Sequence, residues 1–198
     1  MKQLTLMTTN DIKLIPNISK PEVEWDINKR VIVIDNAISP DMCDSIINFA
    51  TDRVAKGVNK YPHVFGISFH SCLLQLEHEV HQLLQPIWQQ SINQLGFDID
   101  FVEPYEVKRY TSKDFFGKHV DNYYSLTKDI DRKITMSIQL TDRSEYTGGE
   151  LLVLGRDIGA KSKGSVTVFP SIFSHEVKPI TSGTRWSLIS WAWGPYWK

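Results

Sequence analysis

The chain has little cysteine, no surplus of charge of either sign and no long apolar run. Cys43 and Cys72 are the only cysteines in 198 residues. They are too few for a disulfide framework and wrongly spaced for a thiolate metal site, so both read as free thiols. With 22 Lys and Arg against 23 Asp and Glu, the formal net charge is -1, which leaves no global electrostatic case for nucleic acid or an anionic membrane as partner. No apolar stretch approaches the roughly 20 residues that a membrane-crossing helix needs. The opening residues Met1 to Asp11 turn polar too soon for a secretory hydrophobic region, and the cytoplasm is the expected compartment. Nucleophile elbow, Ser-His-Asp order and phosphate-cradling glycine loop are all missing, so hydrolase and nucleotide-binding readings fall away. Without repeats, low-complexity blocks or a long linker, the length suits one well-cored domain.

Residues 1–30 are polar, and Pro16 and Pro21 oppose a continuous helix there. They read as an extended arm or an added edge strand, with a single domain over 31–198. Ser39 is a natural N-cap with Pro40 at the first helical position, and Met42, Ile46, Phe49 and Ala50 recur at helical spacing up to about Arg53. From Cys72 to Leu95, apolar positions including Leu73, Leu83, Leu84 and Ile87 fit one helical face, with Gly96 as its stop and Pro86 expected to kink or split it. Beyond Phe97 the pattern changes to short strand-like runs: Tyr105 to Thr111, Lys133 to Leu140, Glu150 to Leu154, Ser165 to Phe169 and Arg185 to Trp193. Helices first and strands second predict an α+β, mainly β domain with helices covering one sheet. In the second run Ile134, Met136, Ile138 and Leu140 alternate with Thr135, Ser137 and Gln139. The preferred assignment buries the apolar face under the helices and turns the polar face to a ligand-holding interior.

The chemistry concentrates in His119-Val120-Asp121, Ser174-His175-Glu176 and Thr184-Arg185-Trp186. Side chains at i and i+2 of a strand point the same way, so His119 and Asp121 can close on one metal from a strand end, with His175 arriving from a distant strand. Two imidazoles and one carboxylate form the facial triad of non-haem iron(II) sites, which leaves coordination positions open. Arg185, Ser187, Ile189 and Trp191 share a strand face. A guanidinium beside a hydroxyl suits a carboxylate, and implies an anionic co-substrate near the metal.

His119-Val120-Asp121-Asn122, the segment Tyr146 to Leu151, Phe169-Pro170-Ser171, His175 to Pro179 and Gly183 to Ser187, in this order over the second half of the chain, resemble the 2-oxoglutarate- and iron(II)-dependent dioxygenases of the prolyl 4-hydroxylase-like branch. Val31 to Asp35 followed by Ser39 to Cys43 looks like the opening strand and helix of such domains. The resemblance implies a double-stranded β-helix, or jelly roll, with its catalytic core over about 101–195. It implies Fe(II) on His119, Asp121 and His175, 2-oxoglutarate and oxygen as co-substrates, and ascorbate as an accessory. It assigns the far carboxylate of 2-oxoglutarate to Arg185, places Ser187, Tyr110, Gln139 and Thr135 around that co-substrate, and makes Val177 and Trp191 apolar walls. The implied reaction hydroxylates a C–H bond and releases succinate and carbon dioxide. A prolyl residue in a peptide or protein is the leading substrate. Collagen-type enzymes usually place lysine where this chain has Arg185, which argues against a collagen-type assignment. Tyr123, Tyr124, Tyr61 and Phe65 are candidates for an aromatic substrate lip.

Blander readings stand beside these. His119 with Asp121 alone suits a turn, Arg185 alone suits a surface ion pair, and Gly148-Gly149 reads as a simple hairpin turn. His78-Glu79-Val80-His81 lacks the His-Glu-x-x-His order of a zinc protease and reads as a solvated helix face, and His63 and His70 have no ligand spacing. The same site could act on a free amino acid, another small molecule or another protein side chain. A non-catalytic jelly-roll binding module is the remaining alternative.

Overall fold

The computed structural model describes residues 29–56, 67–74, 79–122 and 129–196. In chain order the elements are β1 (Ile32–Ile34), α1 (Pro40–Lys56), β2 (Ile67–Ser68), β3 (His70–Leu73), α2 (Val80–Leu95), β4 (Phe101–Val102), β5 (Glu106–Tyr110), β6 (Phe115–His119) and β7 (Ile130–Gln139). They continue with β8 (Tyr146–Gly148), β9 (Leu151–Val153), β10 (Val166–Pro170), β11 (His175–Val177), β12 (Ile180–Gly183) and β13 (Arg185–Pro195). Among the described residues no helix is long and apolar enough to cross a membrane. The arm expected over residues 1–30 falls outside the described residues except for Lys29 and Arg30.

Two antiparallel sheets face each other as in a jelly roll. The larger has the order β1-β10-β7-β13-β5-β3, with β4 also on β13, and the smaller has the order β2-β6-β11-β9. A separate pair joins β12 to β8. The expected α+β, mainly β architecture with helices against one sheet is therefore present.

Strand β7 shows why the layers form. Ile134, Met136, Ile138 and Leu140 are fully buried in one cluster with Cys43, Ile46, Ala50 and Val54 of α1 and with Val80, Leu84, Trp88 and Leu95 of α2. Each such side chain contributes about 1.5–3 kcal/mol on leaving water. Thr135, Ser137 and Gln139, on the other face, are also buried, and Thr135 and Ser137 line the cavity between the sheets. The alternating strand is thus enclosed on both sides, apolar side chains under helices and polar side chains over a pocket.

The helix signals hold at their ends. Ser39 Oγ accepts a hydrogen bond from the Met42 amide at 3.2 Å, and Gly96 closes α2 in the left-handed conformation at φ 73. Between those ends two readings change. Cys72 and Leu73 belong to β3, not to α2, and Leu73 and Leu83 are exposed. Short apolar runs suit either period, and here pairing of β3 with β5 decides the outcome. Pro86 lies inside α2 without splitting it. It sits on the exposed side, where water can satisfy the carbonyl that loses its amide partner.

Gly148-Gly149 is not a simple hairpin. Strand β8 pairs with β12, whereas β9 pairs with β11, so the two glycines form a corner at which the chain passes between sheets. Of the expected solvated face, Glu79 is exposed and Val80 is buried, while His81 is half-buried with its ring against Tyr105 at 4.8 Å between centroids. His78 and His63 lie outside the described residues, and His70 belongs to β3. Both cysteines are free thiols, and burial pushes the Cys43 thiol up to about 11.

Candidate active site

His119 ends β6 and His175 begins β11, and the two are directly opposite in the antiparallel register. Their ring centroids are 4.2 Å apart. Asp121 lies just past the end of β6, in a bend, where its amide donates to the Ser171 carbonyl at 2.9 Å. The strand-parity expectation for His119 and Asp121 therefore carries over a strand end and not along a continuous strand.

The ligand atoms of His119, Asp121 and His175 all lie within 4.8 Å of one another. His119 Nε2 is 3.4 Å from Asp121 Oδ1, and His175 Nε2 is 3.3 Å from Asp121 Oδ2. Donors bound to one metal at about 2.1 Å stand roughly 3 Å apart at neighbouring octahedral positions, so the spacing fits a divalent first-row ion. Each Nδ1 faces a main-chain carbonyl, Gly117 O at 2.8 Å from His119 and Phe173 O at 2.9 Å from His175. Those carbonyls place the ring proton on Nδ1 and leave the Nε2 lone pair for a metal. Phe116 stacks on the His119 ring with centroids 3.7 Å apart, which holds its orientation.

Asp121 is positioned with equal care. Its Oδ2 accepts from Thr135 Oγ1 and from Trp191 Nε1, each at 2.8 Å, while Thr135 Oγ1 also lies 3.0 Å from Ser171 Oγ. Two donors on Oδ2 leave Oδ1 as the carboxylate oxygen open to a metal. Burial opposes the charge on Asp121, but the two imidazoles outweigh it and hold the carboxyl well below the usual carboxylate range. Burial likewise opposes protonation of His175, and the Asp121 carboxylate with the Phe173 carbonyl overcomes it, raising His175 above its ordinary value.

Arg185 begins β13 opposite Tyr110 of β5. It is 3 % exposed, and its guanidinium carbon is 5.4 Å from the Tyr110 ring. Nη1 reaches Ser187 Oγ only at 3.4 Å, and Nε has no hydrogen-bond partner among the described residues. A buried guanidinium without a carboxylate is costly unless a ligand supplies one. An acid end of 2-oxoglutarate fits that need, with the metal triad at the other end of the same cavity.

That cavity is lined by His119, Asp121, His175, Arg185, Ser187, Tyr110, Thr135, Trp191 and Val177. The structure thus brings nearly all of the residues expected from the sequence to one place. Gln139 stands slightly aside. Its amide nitrogen donates to the Thr141 carbonyl at 2.8 Å and the Tyr146 hydroxyl at 3.0 Å, and it lines a neighbouring cleft beneath Arg185. Burial keeps the Tyr110 hydroxyl protonated far above its ordinary range, so it can donate to a carboxylate. Trp191 does more than form an apolar wall, since its N–H holds Asp121. Tyr123, Tyr124, Tyr61 and Phe65, proposed as a substrate lip, lie outside the described residues.

Ser137, on the face expected to turn to the interior, and Phe169, of the Phe169-Pro170-Ser171 block, also line the cavity, as do Lys108 and Phe116, to which the sequence assigns no role. Lys108 shares strand parity with Tyr110, a signal that would have found it. Phe116 carries no such mark, because an aromatic near a histidine is ordinary in a core.

Residues 105–193 match the family model of the 2OG-Fe(II) oxygenase superfamily. A PKHD-type hydroxylase of Shewanella oneidensis is 34% identical over 88 residues, which are 42% of this chain and 39% of that protein. One of Acinetobacter baumannii is 30% identical over 116 residues, or 55% and 51% of the two chains. The matched stretch thus spans about half or less of the length of these curated relatives. Among solved structures, the viral collagen prolyl hydroxylase of Paramecium bursaria Chlorella virus-1 superposes with a TM-score of 0.68 at 23% identity, over 85% of this chain and 98% of that one. A Pseudomonas putida prolyl-4-hydroxylase gives 0.66 at 19%, over 84% and 93%. At these identities the solved structures speak for the shared jelly-roll fold, and the sequence match speaks for the site it carries. Residues 105–193 thus resemble the 2OG-Fe(II) oxygenase superfamily in sequence, and the fold that carries them is shared with the prolyl hydroxylases named above.

Proposed function

We propose that this protein is a 2-oxoglutarate- and Fe(II)-dependent dioxygenase that hydroxylates a C–H bond, with a prolyl residue of a peptide or protein as the leading substrate. The observation that carries the reading is one cavity holding both His119, Asp121 and His175 at metal-ligand spacing and a buried Arg185 that forms no ion pair among the described residues and whose Nε has no hydrogen-bond partner there. His119 Nε2, His175 Nε2 and Asp121 Oδ1 would hold the iron, and Arg185, with Tyr110 and Ser187 beside it, would hold the far carboxylate of 2-oxoglutarate. Bound iron with 2-oxoglutarate and oxygen supplies the oxidation, which yields succinate, carbon dioxide and a hydroxylated product. The protein's own part is orientation and exclusion of water. Thr135 and Trp191 fix the carboxylate ligand, the Gly117 and Phe173 carbonyls fix the imidazoles, and Val177, Phe169 and Leu151 keep the cavity wall apolar.

The PKHD-type hydroxylases named above and the prolyl hydroxylase folds support the substrate assignment. The cytoplasm is the proposed location, in keeping with two unpaired thiols. Ascorbate as an accessory reductant is proposed on the resemblance alone, and residues 1–30 remain the proposed N-terminal arm. A non-catalytic binding role is disfavoured because every group of the proposed metal and co-substrate sites is intact.

Anaerobic addition of Fe(II) and 2-oxoglutarate tests the reading, with the visible metal-to-ligand charge-transfer band as readout. The band is expected with the wild-type chain and absent with His175→Ala. Arg185→Ala is expected to weaken 2-oxoglutarate by about thirtyfold or more, the cost of removing one partner of a buried charge pair. Oxygen-dependent succinate formation with prolyl peptides then tests turnover. A wild-type chain that binds iron but neither shows the band nor forms succinate refutes the enzyme reading.

A further inference from the structure

Lys108 is a second buried cation in the cavity. Its side chain is 6% exposed, and it lines the same space as the metal triad and Arg185. On β5 it lies opposite Ser187, two residues along from Tyr110, which is opposite Arg185. One pleat repeat, about 7 Å of backbone, therefore separates the strand positions that carry the two cations. Its Nζ stands 4.6, 5.1 and 5.4 Å from the ring centroids of Phe69, Phe116 and Trp191. Phe116 stacks on His119 and Trp191 donates to Asp121, so these rings place the ammonium on the flank of the triad.

A lysine used only for packing lays its stem on apolar surface and releases its ammonium to water. Here the ammonium is held inward over three rings. Ring faces attract a cation but accept no conventional hydrogen bond from it. Among the described residues, its carboxylate neighbour is Glu106 Oε2 at 3.5 Å, beyond the roughly 2.7–2.9 Å of a charge-assisted hydrogen bond. In the oxygenase reading, on which this inference rests, the two ends of 2-oxoglutarate are already taken by the metal and by Arg185. We infer that Lys108 receives a carboxylate of the substrate itself, so that the enzyme selects substrates bearing an acid group close to the carbon it hydroxylates. The acid group would be either the α-carboxylate of a free amino acid or an acidic side chain next to a prolyl residue in a peptide.

The test uses the full chain loaded with Mn(II) and 2-oxoglutarate without oxygen, and calorimetric binding of paired probes. L-proline is compared with L-prolinamide, and the capped tripeptide amide aspartyl-prolyl-glycine with its asparaginyl counterpart. Wild-type protein is expected to bind the acid member of one pair about tenfold or more tighter, and the responding pair tells which source of carboxylate is used. Lys108→Met removes the preference and Lys108→Arg retains it, while affinity for 2-oxoglutarate stays within about twofold in all three proteins. Equal binding of both members of each pair by wild type, including no binding of any, overturns the inference. So does a preference that survives in Lys108→Met, or a loss of 2-oxoglutarate affinity in that variant as large as in Arg185→Ala. The 2-oxoglutarate titration of wild type reports separately on the oxygenase reading, because its failure would sink that reading, whereas normal 2-oxoglutarate binding without an acid preference sinks only the role of Lys108.

Discussion

Trp191 donates its indole N–H to Oδ2 of Asp121 at 2.8 Å, tying the last strand of the larger sheet to a proposed metal ligand that follows β6 of the smaller one. The indole ring is itself held by the Arg132 guanidinium, 3.8 Å from its centroid. Arg132 is in turn fixed by two hydrogen bonds to Glu103, at 2.6 and 2.9 Å. The orientation of the carboxylate thus depends on a chain of contacts that reaches the outside of the sheet.

Trp191→Phe keeps an aromatic ring under Arg132 and removes the donor. Outer partners of metal ligands contribute about 10–100-fold to metal affinity. A loss in that range is expected when Mn(II) is titrated into the variant, with little change in melting temperature of the metal-free chain. An unchanged metal affinity would show that Thr135 alone suffices to hold Asp121.

Acidification is expected to release the metal. In the metal-free chain His175 is raised above its ordinary value of 6.5, so it contributes stability that is fully present below 6.5 and is lost as pH rises through the raised value. Asp121, held below its ordinary value of 3.8, contributes stability that is present above 3.8 and is lost as pH falls through its depressed value. A metal competes with the His175 proton, so affinity for Mn(II) climbs with pH until His175 is neutral and then levels off. Thermal melts with and without Mn(II) across this range check the prediction, and a metal-induced rise in melting temperature that does not depend on pH would contradict it.

Gly148 sits at φ +75, and a Cβ there would meet the Pro179 carbonyl oxygen at 2.1 Å. Gly148→Ala combines left-handed strain with a clash against main chain that has no room to yield, and is expected to cost about 2–4 kcal/mol. Gly96 shares the conformation, at φ +73, with nothing within 4 Å of a Cβ. Gly96→Ala is therefore expected to cost only about 1 kcal/mol. Calorimetric melting separates the two, at about 2–4 °C per kcal/mol for a domain of this size. Equal losses would mean that the corner between β8 and β9 is not tightly built.

Much of the site could be read from residue order. His119, Asp121, His175 and Arg185 stand in motifs whose chemistry is recognisable without coordinates, and the alternation along Ile134 to Leu140 identifies an apolar and a polar face. The caps at Ser39 and Gly96 follow from local hydrogen bonding and backbone freedom, which a few neighbouring residues settle among themselves. Cys72 and Leu73 depart from the helical expectation for the opposite reason. Their apolar run suits a helix as well as a strand, and the partner that makes it a strand, β5, lies more than thirty residues further along the chain.

The chemical identity of the proposed metal ligands and of the guanidinium thus resides in the order of the amino acids, because side-chain chemistry does not depend on folding. Which oxygen of Asp121 is free, that Trp191 acts as a donor, that Gly148 and Gly149 turn a corner between sheets, and that Lys108 faces the same space as Arg185 depend on strand register. Register is settled by pairing between segments far apart in the chain, and a shift of one residue would turn each of these side chains to the opposite face.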